Sequence, residues 1–173
     1  MPINKEVKKQ WERLFDYYKD ELVKQCKGAT EEQIAKAESE LGVKFPKSFA
    51  DFFRVCDERF ILKDKSRGFL GKSDIYPLCN TYYDGFNLIH INKEIRIYDE
   101  SWKNEWIAFY DYETWFEGIL DTKTEKIFLS STEDIKPVLW ANSFEEWFKM
   151  VVDEVLEYGE LRLETIEKKL NII

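Results

Sequence analysis

Trp11, Leu14, Phe15, Tyr18, Leu22 and Cys26 recur at three- and four-residue intervals on a polar background. That spacing predicts one amphipathic helix running to a stop at Gly28. Thr30-Glu31-Glu32-Gln33 follows as a capping box. The Thr30 hydroxyl can accept from the backbone N–H of Gln33, and the Gln33 side chain can reach back. Ile34, Ala37 and Leu41 give this second helix its apolar face, and Gly42 stands where a left-handed cap belongs. Pro46 suits a helix start. The helix after it buries Phe49, Phe52, Phe53 and Cys56.

Past Asp57 the pattern changes. Gly68–Gly71 and Asp74–Leu78 read as short strands, with Pro77 marking an edge or an end. In residues 84–98, Leu88, Ile91, Ile95 and Tyr98 are helically spaced while Ile89/Ile91 and Ile95/Ile97 also alternate; helix is the preferred reading. Three β-rich runs follow at Trp106–Tyr110, Trp115–Leu120 and Lys126–Leu129, joined by turn-like links at Asp111–Thr114 and Asp121–Glu125. Alternation puts Ile107, Phe109, Phe116, Leu120, Ile127 and Leu129 on one face, and Trp106, Tyr110, Tyr112, Trp115 and Phe128 on the other. Ser143-Phe144-Glu145-Glu146 is a second capping box. It opens a helix through Trp147, Phe148, Val151, Val152 and Val155, and after Gly159 the residues Leu163, Ile166 and Leu170 continue the pattern. Helices, then an antiparallel meander, then helix: the fold class is α+β, a single domain. The expected divisions are an N-terminal helix over 1–28, a core domain over 29–158 and a helical extension over 159–173.

Length and composition agree with one domain. The chain has 173 residues, 44% of them hydrophobic, which is enough for a core. No apolar run approaches the ~20 residues of a bilayer span, and the N-terminus shows no export signal. Cys26, Cys56 and Cys79 are odd in number and widely spaced, which suits reduced thiols in a cytoplasm. A single histidine and the lack of a C-x-x-C pair exclude the common zinc sites. There is no G-x-S-x-G, no phosphate-binding glycine loop and no dinucleotide fingerprint. A net charge of −8 disfavours nucleic acid as a partner. That charge is concentrated: residues 81–125 carry ten acidic and four basic groups, interleaved with Trp102, Trp106 and Trp115.

Catalytic constellations are weak. Cys56 and His90 could be paired as a dyad, but Cys56 falls on an apolar helix face, where cysteine is ordinary packing. Glu167-Lys168-Lys169 fits the short E-x-K of metal-dependent nucleases, yet such triplets arise by chance in a chain that is 35% charged. Glu145 and Glu146 point to different helix faces. No catalytic residue, metal or cofactor is expected.

The capped helix ending in Leu41-Gly42, followed by Val43-Lys44-Phe45-Pro46, Ser48-Phe49 and Phe52-Phe53, resembles the opening of the SUKH superfamily. That superfamily includes a yeast cell-wall-synthesis regulator and many bacterial toxin-immunity proteins. Trp106-Ile107-Ala108-Phe109 is similar to its tryptophan-led strand, Ile119-Leu120-Asp121 to the strand after it, and Ser143-Phe144-Glu145-Glu146-Trp147 to its closing helix. The resemblance covers roughly residues 29–156. It departs in two loops: Cys56-Asp57-Glu58 stands where many members have Asn-Gly, and Asp111-Tyr112-Glu113-Thr114 where members often carry glycines.

The resemblance implies a non-enzymatic, cytoplasmic immunity protein that binds and neutralises a cognate toxin. The acidic, aromatic middle of the chain suggests how: by mimicking the polyanionic substrate of a basic toxin domain, for example a nuclease. The expected contacts are Asp99, Glu100, Trp102, Glu105, Asp111, Tyr112, Glu113, Trp115 and Glu117. A second implication is a regulatory scaffold like the eukaryotic members, though those tend to carry long disordered flanks. For any one contact residue the competing reading is that Trp106, Tyr110 and Trp115 are core and the carboxylates a merely solvated face.

Overall fold

Asn4 starts the first helix, α1 (Lys5–Tyr17), its side chain accepting from the backbone N–H groups of Glu6 and Val7 at 3.0 and 3.1 Å. The computed structural model describes residues 1–58, 62–78, 87–131 and 136–172. α2 (Glu31–Leu41) has the capping box expected at Thr30 and Gln33, and it ends at Gly42 with φ of 66°. α3 (Lys47–Val55) follows Pro46. The sheet runs β1 (Ser73–Ile75), β2 (Trp106–Tyr112), β3 (Phe116–Asp121), β4 (Ile127–Ser131) and β5 (Val138–Ala141), all antiparallel and in chain order. α4 (Leu88–Tyr98) lies between β1 and β2 in sequence, and α5 (Phe144–Tyr158) and α6 (Leu163–Lys169) close the chain. The architecture is α+β, as the pattern predicts. The preferred helix at 84–98 is present over 88–98, its first positions falling outside the described residues. The four-residue β5 carries too short an alternation to register in the sequence.

α1, α3 and α5 pack together on one face of the sheet. Trp147, fully buried, stacks edge-on to Phe109 at 4.9 Å and lies 5.6 Å from both Tyr110 and Trp140. Trp11 meets Phe52 at 4.7 Å and donates from Nε1 to the Phe52 carbonyl at 3.1 Å. Ile166 and Leu161 are buried too, so both terminal segments pack onto the same core. The E-x-K triplet sits on α6, with Lys168 paired to Glu164.

Two expectations are corrected here. α1 ends at Tyr17, not near residue 27. Tyr18 turns inward to donate to the Phe69 carbonyl, and Leu22 bridges to Leu62, so tertiary pairing overrides the helical spacing. Gly28 is then no helix stop. It is where the chain squeezes past α3, and a Cβ there would fall 1.8 Å from the Arg54 carbonyl oxygen. The second correction concerns the thiols: Cys26 and Cys56 are joined by a disulfide, their Cα atoms 5.4 Å apart. That separation is ordinary for such a bond. The Ala29 N–H bonding to the Phe53 carbonyl at 2.7 Å brings the two segments side by side. Cys79 lies outside the described residues.

Candidate partner-binding groove

β2 carries the irregularity that decides the site. The ladder between β2 and β3 shifts at Phe109, between Ala108 and Tyr110. One inserted residue reverses the alternation beyond it. Phe109 and Tyr110 therefore both face the helical core, both against Trp147. Gly118 makes the bulge fit: it stands opposite Tyr110, and a Cβ there would lie 2.8 Å from the Tyr110 Cβ and 3.2 Å from the Phe109 ring. Tyr110 and Tyr112, expected on the outer face, are consequently core residues. Tyr112 is only 6% exposed and offers a partner no surface.

The same shift brings Asp111 onto the outer face. In register across three strands, Asp74 stands opposite Asp111 and Asp111 opposite Glu117; Ser130 follows on β4. Next to this row Trp106 and Ile119 complete the groove side of the sheet. α4 forms the opposite wall. Its buried Asn92 holds it there: Nδ2 donates to the Ala108 carbonyl at 2.8 Å, and Oδ1 accepts from the Ala108 N–H at 2.8 Å. A side chain thus completes the edge of β2 where the short β1 does not reach.

Between α4 and the outer face lies a groove of about 780 Å³. Its lining includes Ile95, Tyr98, Asp99, Trp102, Trp106 and Glu117. Trp102 meets Trp106 edge to face at 5.5 Å, and its Nε1 donates to the Trp106 carbonyl at 3.1 Å. Lys103 Nζ sits 4.9 Å from the centre of the Trp106 ring. The rim is apolar and open, with Tyr98 84% exposed. Burial pushes the Glu117 carboxyl up to about 7, helped by the charges of Asp111 and Asp99. No hydrogen bond or ion pair holds the Glu117 carboxylate among the described residues.

Of the expected contacts, Asp99, Trp102 and Glu117 line this groove, and Asp111 adjoins it through its pairing with Glu117. Glu100 is exposed on the loop after Asp99. Glu105 is not brought in: it pairs with Lys123 at 3.6 Å beside the β3–β4 turn. Glu113 and Trp115 stand exposed at the β2–β3 hairpin tip, where Glu113 and Thr114 hold positive φ values of 47° and 66° without glycine. Sequence reasoning missed Asn92, Tyr98 and Ile119. Helical spacing marks an apolar stripe but cannot tell which neighbour covers it.

The dyad considered from sequence does not form. Cys56 is bonded to Cys26, and His90 Nε2 lies 3.1 Å from Glu94 on the exposed side of α4. Among the described residues no cluster of three or more His, Cys, Asp or Glu could hold a metal, and no helix is long and apolar enough to cross a membrane. Comparison with curated proteins returns no match. The sequence pattern of the SMI1 / KNR4 family (SUKH-1) matches residues 28–150, which takes in α2 to the middle of α5 and every wall of the groove. The chain belongs to the SMI1 / KNR4 family (SUKH-1).

Proposed function

We propose that this is a non-enzymatic immunity protein, which binds a basic toxin domain through the acidic, aromatic groove and so blocks it. Family membership is compatible with that role. The observation that carries it is Glu117, a half-buried carboxylate without a cationic partner among the described residues, in a groove walled by two tryptophans. Such an arrangement lowers the stability of the free protein and is suited to a cationic surface arriving from outside. Surrounding carboxylates speed encounter and reject wrong partners, and the exposed aromatics supply anchoring area. A standard interface buries ~1,600 Å² in total, and on this reading the exposed hairpin tip with Glu113 and Trp115 extends the contact beyond the groove.

The test is affinity capture from a lysate of the source organism, washed at low and then high salt, with mass spectrometry of what stays. One large protein held through a basic domain, released by salt, and lethal unless this chain is co-expressed, is the expected result. Several housekeeping proteins without a basic surface would instead favour a regulatory scaffold.

A further inference from the structure

We propose that the groove is a seat for a single lysine or arginine side chain of the partner, its charge held by Glu117 and its stem lying along Trp102 and Trp106. This deepens the toxin-binding reading and rests on it.

Three independent features converge on a cation. The first is the ladder. Asp74, Asp111 and Glu117 stand in consecutive register on one face. Three acidic residues in one row present a surface complementary to an incoming cation rather than an anion. The second is what Glu117 lacks. Lys136 lines the same groove and Lys103 lies against Trp106, yet neither pairs with Glu117; the charges that act on it most are the repulsive ones of Asp111 and Asp99. α4 contributes Glu94, another carboxylate, to the same lining. The third is the walls. Indole is the best aromatic partner for a cation, and the Lys103 ammonium already sits over the Trp106 ring. A groove of about 780 Å³ has room for a long side chain together with its flanking backbone.

Seating a cation requires ionised Glu117, and in the free protein burial and its acidic neighbours hold that group up to about 7. Binding therefore expels a proton near neutral pH, and affinity should fall about tenfold from pH 8 to pH 6.

N-acetyl-arginine amide serves as the probe, with the uncharged N-acetyl-citrulline amide as its control. The readout is the indole N–H signals of Trp102 and Trp106 in nitrogen–proton correlation spectra. A saturable shift at millimolar arginine probe is expected at pH 8, about tenfold weaker at pH 6, absent with citrulline and lost in Glu117→Gln. Equal shifts from both probes, no saturable shift, or a response unchanged in Glu117→Gln would overturn the proposal. The wild-type pH titration stands even if that variant misfolds. Failure here leaves the immunity reading intact if capture still yields a neutralised toxin. Probe binding without any captured toxin would do the reverse.

Discussion

Glu117 stands directly opposite Asp111 in the β2–β3 ladder, two acidic residues paired on the outer face of the sheet. The pairing exists because the bulge at Phe109 turns Asp111 outward, and it ties the stability of the free protein to the proposed binding surface.

Stability should therefore rise when Glu117 is neutralised. A carboxyl raised from 4.5 to about 7 in the folded state favours folding below pH 4.5, and that contribution disappears as pH rises through 7. Glu117→Gln is expected to gain on the order of 2–3 kcal/mol at pH 8, with the advantage gone by pH 4.5. Thermal melts of both proteins across pH 4.5–8 check this. A variant no more stable than wild type at pH 8 would mean that Glu117 is well solvated.

On the proposed reading, the carboxylates beside the groove and at the hairpin tip govern encounter. Asp111→Asn with Glu113→Gln should slow association with the captured toxin and flatten its salt dependence, with the fold unchanged. The asparagine amide would keep an oxygen to accept from the Thr114 N–H, which Asp111 Oδ1 now does at 2.9 Å. Stopped-flow association at low salt is the measurement. An unchanged rate would show that these carboxylates do not steer the partner.

Trp147 lies at the centre of the core. Trp147→Ala should cost about 3–5 kcal/mol, read as a lower denaturant midpoint. A midpoint near wild type would contradict its complete burial against Phe109, Tyr110 and Trp140.

The disulfide closes a loop of 30 residues between Cys26 and Cys56. Loop-closure entropy assigns such a bond about 3–4 kcal/mol. Reductant should lower the melting temperature of the wild type and leave Cys26→Ser, already lowered, unaffected. Equal melts with and without reductant would show that the bond contributes nothing.

Most of the fold was legible because its helices announce themselves: Asn4 apart, the caps at Thr30 and Ser143 and the stops at Gly42 and Gly159 are local signals. What escaped is what depends on distant segments. α1 stops at Tyr17 because Tyr18 and Leu22 have partners near residues 62–69, which no spacing reveals. The cysteine pair was hidden for the same reason. Asp99, Trp102 and Glu117, singled out by charge and aromatic content, line one groove, while the one-residue bulge puts Tyr112 in the core instead of on the outer face. Its signal was present in Gly118, the small residue that accommodates both Phe109 and Tyr110, but only the strand register gives that glycine its meaning.

Site-specific photocrosslinking separates the groove from the helical face of the molecule. A photoreactive residue is placed at Tyr98 on the groove rim, and in a second protein at Lys8 on α1, across the sheet. One basic toxin domain should crosslink from position 98 and little from position 8, with the yield from 98 lost in Glu117→Gln at pH 8. Crosslinking of the toxin from position 8 alone, or equally from both, would contradict binding through the groove.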